Sequence, residues 1–75
     1  MRFMKYLVVE IQVQSDGTTG TFTWAYDNTA DAMAKYYSVL AVAVQSQVAV
    51  HTAVILDETG SVYRKECIRH EEVAE

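Results

Sequence analysis

The chain predicts a two-layer α+β domain in which one helix covers one face of a four-stranded, mostly antiparallel sheet, in the order ββαββ. Three observations predict it. Only Thr29 to Ser46 combines helical length with a helical period, three other stretches alternate with a period of two and a fourth, Ser61 to Arg69, does so poorly, and glycine-bearing turns join those stretches in pairs. No linker, repeat or Pro-rich tract divides the chain, so residues 1–75 are expected to form a single domain.

The first strand is expected from Phe3 to Gln14. Its odd positions Leu7, Val9, Ile11 and Val13 are apolar, while the even ones turn polar at Glu10, Gln12 and Gln14. Met4, Tyr6 and Val8 make the start of the even face apolar as well, which places this strand centrally in the sheet or under a second layer. Ser15 to Gly20 reads as a hairpin connection, with Asp16-Gly17 at its tip. Thr21 to Tyr26 follows as an antiparallel partner, with Phe22, Trp24 and Tyr26 on one face and Thr21, Thr23 and Ala25 on the other.

The helix is expected to start at Asn28 or Thr29, which can cap its free N–H groups, with Asp31 in the first turn where the helix dipole favours a carboxylate. Asp31 and Lys35 form an i, i+4 pair in the favourable order. Gln45 to Gln47 end the pattern. Met33, Tyr37, Leu40, Ala41 and Val44 make the stripe expected to face the sheet, and Ala32, Tyr36, Val39 and Ala43 a second apolar flank beside it. Together they span roughly 220°, far wider than the stripe that docks a surface helix on one core.

Val48 to Leu56 is largely apolar on both faces and is expected as an interior strand or one covered on both sides. Asp57 to Gly60 is a turn in which Gly60 takes the positive φ of a type I turn with a bulge. Ser61 to Arg69 completes the second hairpin as an edge strand, since its charged side chains discourage further pairing. The acidic tail from Glu71 to Glu75 is expected to fray.

With 75 residues, the chain buries only about 60–65% of its unfolded surface, so a single core is thin. Cys67 is the one cysteine, which excludes an internal disulfide and fits a reducing compartment. No Cys or His pair stands at metal-ligand spacing, and no phosphate loop, dinucleotide turn or Ser-His-Asp set is present, so neither cofactor nor metal is expected. The net charge of −4 weighs against nucleic-acid or membrane-surface binding. No apolar run reaches the roughly 18 residues of a membrane span, and no signal peptide is read at the N-terminus, so the expected location is the cytoplasm.

The segments AYD before the helix, the Tyr-bearing Ala/Val helix, VHTAVILDETG and KECIRH resemble short unannotated proteins encoded in prophages and mobile elements of Gram-positive bacteria. The resemblance covers most of the chain and implies a bacterial or phage setting. It transfers no activity and no catalytic residue.

More apolar surface than one short chain can hide leads to the principal functional expectation, a non-enzymatic protein-interaction module that assembles as a homodimer. The expected contact surfaces are the helix flank Ala32, Tyr36, Val39 and Ala43, or the sheet face left bare by the helix, assigned to Met4, Tyr6, Val8, Ala49, His51, Ala53 and Ile55. Two other classes are weighed against it. Arg64, Lys65 and Arg69, with His70, form the one basic cluster and invite a nucleic-acid accessory role, against which stand the interleaved Glu66, Glu71 and Glu72. Cys67 and His51 invite a thiolate–imidazole pair, although a strand cysteine is more often a packed hydrophobe. Trp24 and the five tyrosines, Tyr6, Tyr26, Tyr36, Tyr37 and Tyr63, would suit a ligand groove, or equally a core.

Overall fold

The computed structural model describes residues 5–70. Its elements are β1 (Tyr6–Val13), β2 (Thr19–Tyr26), α1 (Thr29–Gln45), β3 (Val50–Asp57) and β4 (Val62–Arg69). The strands form one antiparallel sheet in the order β2-β1-β3-β4. β1 and β3 are the central strands, one of the two placements their two-sided apolar pattern allows, and β4 is an edge, as expected. The other edge is β2. Because β1 runs antiparallel to both of its neighbours, β2 and β3 are parallel, and α1 carries the chain across β1 from one to the other.

The two hairpin turns share one geometry. In the first, the Gly17 N–H donates to the Gln14 carbonyl (2.9 Å) and the Gln14 N–H donates to the Thr18 carbonyl (2.8 Å). In the second, Gly60 donates to Asp57 (3.0 Å) and Asp57 to Ser61 (2.9 Å). Gly17 and Gly60 have φ of 93° and 90°, the left-handed conformation that this turn-plus-bulge requires and that a side chain strains. The first loop is shorter than expected, so Gly20 belongs to β2.

Asn28 caps α1 by accepting the Asp31 N–H at 2.8 Å, and its amide donates back to the Asp31 carboxylate at 3.1 Å. Lys35 does not complete the expected ion pair with Asp31; its ammonium lies 4.0 Å above the centre of the Trp24 ring. The helix ends at Ser46, whose N–H donates to the Ala43 carbonyl.

The helix docks through the flank that the sequence assigns to a partner. Ala32, Tyr36, Val39 and Ala43 are buried, and the first three pack with Val8, Ala53 and Ile55 in the core. Of the stripe expected to face the sheet, Met33 and Leu40 are half-buried at its margin, while Tyr37, Ala41 and Val44 lie in solvent. The physical reason is size. Ala32 and Ala43 let the helix backbone settle close to the sheet, and Tyr36 and Val39 fill the space between them.

Ladder register fixes the faces, since residues paired across antiparallel strands point the same way. The covered face holds Tyr6, Val8, Glu10 and Gln12 of β1, Phe22, Trp24 and Tyr26 of β2, His51, Ala53 and Ile55 of β3, and Arg64, Glu66 and Ile68 of β4. The sheet face assigned to self-association is therefore the core. Val8, His51, Ala53 and Ile55 are at most 1% exposed, Tyr6 packs against that core, and Ala49 is half-buried in the loop before β3. Met4 and the acidic tail lie outside the described residues.

Candidate interaction surface

The opposite face of the sheet carries Leu7, Val9, Ile11 and Val13 from β1 beside Leu56, Val54, Thr52 and Val50 from β3. Seven of these eight are aliphatic. Among the described residues no helix or second sheet lies over them, and all but Val54 are half-buried rather than buried. The rims differ in chemistry. Thr19, Thr21, Thr23 and Ala25 of β2 flank the aliphatic strip on one side, and Lys65, Cys67 and Arg69 of β4 flank it on the other. At one corner a bulge between Ile55 and Leu56 of the β3 ladder leaves Val62 opposite Leu56, 58% exposed. The bare second face expected from a two-layer domain thus exists, but it is made of the odd residues of β1 and the even residues of β3.

Ladder parity also separates the other candidate sets. His51 pairs with Ile68 and Cys67 with Thr52, so the imidazole lies under the helix and the thiol on the far side of the sheet. The proposed thiolate–imidazole pair does not form. Arg64 shares the covered face with Glu66, whereas Lys65 and Arg69 rim the open face, which divides the basic cluster between two surfaces. The aromatic residues make no groove. Tyr6, Trp24, Tyr26 and Tyr36 pack on the core, Tyr63 leans on Tyr6 with ring centres 6.0 Å apart, and Tyr37 is turned outward.

A polar group beneath the C-terminal end of α1 was not legible beforehand. Glu10 accepts from His51 Nε2 in a short contact and from the Gln12 amide at 2.8 Å, and His51 Nδ1 faces Ser46 Oγ at 3.5 Å. A chain of serine, imidazole and carboxylate has the outline of a nucleophilic triad. At 3.5 Å the Ser46–His51 contact is long for an O–H···N bond, and Ser46 Oγ also accepts the Val48 N–H at 3.0 Å. His51 is 1% exposed, whereas Ser46 is half-buried. The signal that would have found this group is Glu10 and Gln12 sharing parity with Val8, combined with a histidine in an otherwise apolar strand.

An open cleft of 1060 Å³ lies nearby, lined by Val13, Gln14, Ser15, Ser46, Gln47, Ala49, Val50 and His70. His70, one of the lining residues, bonds the Ala43 carbonyl through Nε2 at 2.7 Å. Every buried side-chain nitrogen and oxygen among the described residues has a protein partner. Among the described residues no three His, Cys, Asp or Glu side chains gather as metal ligands, and no helix is long and apolar enough to cross a membrane.

Comparison with protein-family models, with curated proteins and with solved structures finds no match. The aliphatic sheet face therefore stands as the leading candidate on its own physical chemistry. The exposed side of the helix is the other candidate, where Tyr37, Val42 and Val44 lie in solvent beside exposed Ala34 and Ala41, with Ser38 and Gln45 among them.

Proposed function

We propose that this domain is a non-enzymatic assembly module that binds a second copy of itself through the open face of the sheet, in a bacterial or phage setting. The observation that carries the reading is the contiguous aliphatic strip of β1 and β3, over which no helix or second sheet lies among the described residues. Stacked sheets bury such strips against each other about 10 Å apart. Four strands at roughly 4.8 Å and eight residues at roughly 3.3 Å give a footprint of roughly 500 Å² per copy. The pair then buries roughly 1,000 Å², the lower bound of a specific interface.

Charge selects the arrangement. A twofold axis running along the strands sets the Lys65 and Arg69 rim of each copy over the threonine rim of β2 in the other, whereas an axis across the strands sets like charges over one another. The first is the geometry proposed.

Sedimentation velocity tests it with Val9→Lys, a change at the centre of the strip that leaves the helix side untouched. The dissociation constant is expected to rise at least about tenfold, equivalent to about 1.4 kcal/mol, with the circular dichroism of the folded domain retained. A folded variant that associates as the parent chain does removes the reading. A nucleic-acid role for Arg64, Lys65 and Arg69 has less support, because the three do not share a face.

A further inference from the structure

The two edges of the sheet are unlike. β4 carries Arg64, Lys65, Glu66 and Arg69 and a bulge, the devices by which an edge strand resists pairing. β2, TGTFTWAY, has eight residues with no charge, no proline and an unbroken register against β1. Among the described residues no strand lies beyond it.

The first turn decides which backbone groups of β2 are free. The Gln14 N–H bonds the Thr18 carbonyl, so by the alternation of an antiparallel ladder Gly20, Phe22, Trp24 and Tyr26 direct their backbone groups at β1. Thr19, Thr21, Thr23 and Ala25 direct theirs outward. We propose that this outward edge is a second self-association site, at which β2 pairs antiparallel with β2 of another copy about a twofold axis through Phe22.

That register is the one that uses every free group. It sets Thr19 opposite the other copy's Ala25 and Thr21 opposite its Thr23, so all four outward residues of each strand meet outward residues. Phe22, 48% exposed in one chain, then faces its twin as a close non-hydrogen-bonded pair. Trp24 falls opposite Gly20, which has no side chain to obstruct it. No charged residue faces another anywhere along the two strands. A β2-to-β4 contact would instead run head to tail without closing, and the charges and bulge of β4 oppose it.

The edge deepens the assembly reading by adding a second surface, and the two fail separately. Residue-resolved hydrogen exchange on the full chain, with sedimentation in parallel, reads them apart. The amides of Thr19, Thr21 and Thr23 are expected to become protected as concentration rises, in the parent chain and equally in Val9→Lys, which leaves the edge intact. Thr21→Pro removes an outward N–H without touching the β1 ladder, and Phe22→Lys sets like charges on the axis. Each is expected to abolish that protection and to weaken the edge contact at least about tenfold while the open-face contact persists. Outward amides that exchange freely at concentrations where copies associate, or that stay protected in both folded variants, overturn the edge proposal and leave the open-face reading standing.

Discussion

His51 and Glu10 show how a single hydrogen-bonded contact settles which way a sheet faces. Glu10 and Gln12 look like the solvent side of β1, and burying them would be costly if they stood alone. Paired with His51 they are satisfied beneath the helix, and the aliphatic side is left outside. Glu10→Ala leaves the buried His51 Nε2 and the half-buried Gln12 amide without their acceptor, and a loss of about 2–3 kcal/mol in urea-melt stability is expected. A double-mutant cycle with His51→Ala is expected to give a coupling above about 0.5 kcal/mol. Asp57 acts at the same scale. Its carboxylate accepts from the Thr59 hydroxyl (2.6 Å) and from the Ser61 (3.0 Å) and Thr59 (2.9 Å) amides, which holds its pKa below the ordinary value of 3.8. A lowered carboxylate pKa contributes stability that is present above the unfolded value and lost as pH falls through the folded one. The acid limb of stability below about pH 4 is therefore expected to flatten in Asp57→Ala, read from melts across pH 2–6. Tyr36 has the opposite sign. Burial first, then the Glu66 charge, raises its phenol above 10.0, so its contribution is complete below pH 10 and is lost as pH rises further.

For the elements, the helix cap and the helix seat are separate determinants. Asn28→Ala removes the acceptor of the Asp31 N–H and is expected to cost about 1 kcal/mol in thermal or chemical melts. Ala43→Leu forces a larger side chain into a fully buried seat, and a loss of about 1–3 kcal/mol is expected. Substitution at exposed Val42 or Val44 should do little. Much of this level was legible in the sequence: the element order, the helix start, both glycine turns and the edge placement of β4, while the two-sided apolar pattern of β1 and β3 fitted either a central place or cover by a second layer and did not give the strand order. What was not legible was which face the helix covers. A period of two divides a strand into two faces and does not label them, and β1 and β3 are apolar on both. The helix had the same ambiguity, with two adjacent apolar flanks. The choice between them came from alanine seats and from polar partners distant in sequence, neither of which leaves a local pattern.

At the scale of the whole molecule, one chain hides the core side of its sheet and leaves an aliphatic strip on the other side and an uncharged edge along β2. Face stacking about an axis along the strands and edge pairing about an axis normal to the sheet use perpendicular axes that do not meet, so together they generate an extended tape rather than a closed dimer. Copies able to use only one contact stop at two. Thr21→Pro is accordingly expected to leave face dimers, Val9→Lys to leave edge dimers, and the double variant to be monomeric. The basis is the uncovered strip, which was expected in kind but assigned to the wrong residues. The most direct test is sedimentation velocity of the parent chain beside Val9→Lys over micromolar to millimolar concentration. The account predicts species larger than a dimer for the parent and nothing beyond a dimer for the variant; a parent chain that remains a compact monomer throughout would contradict it.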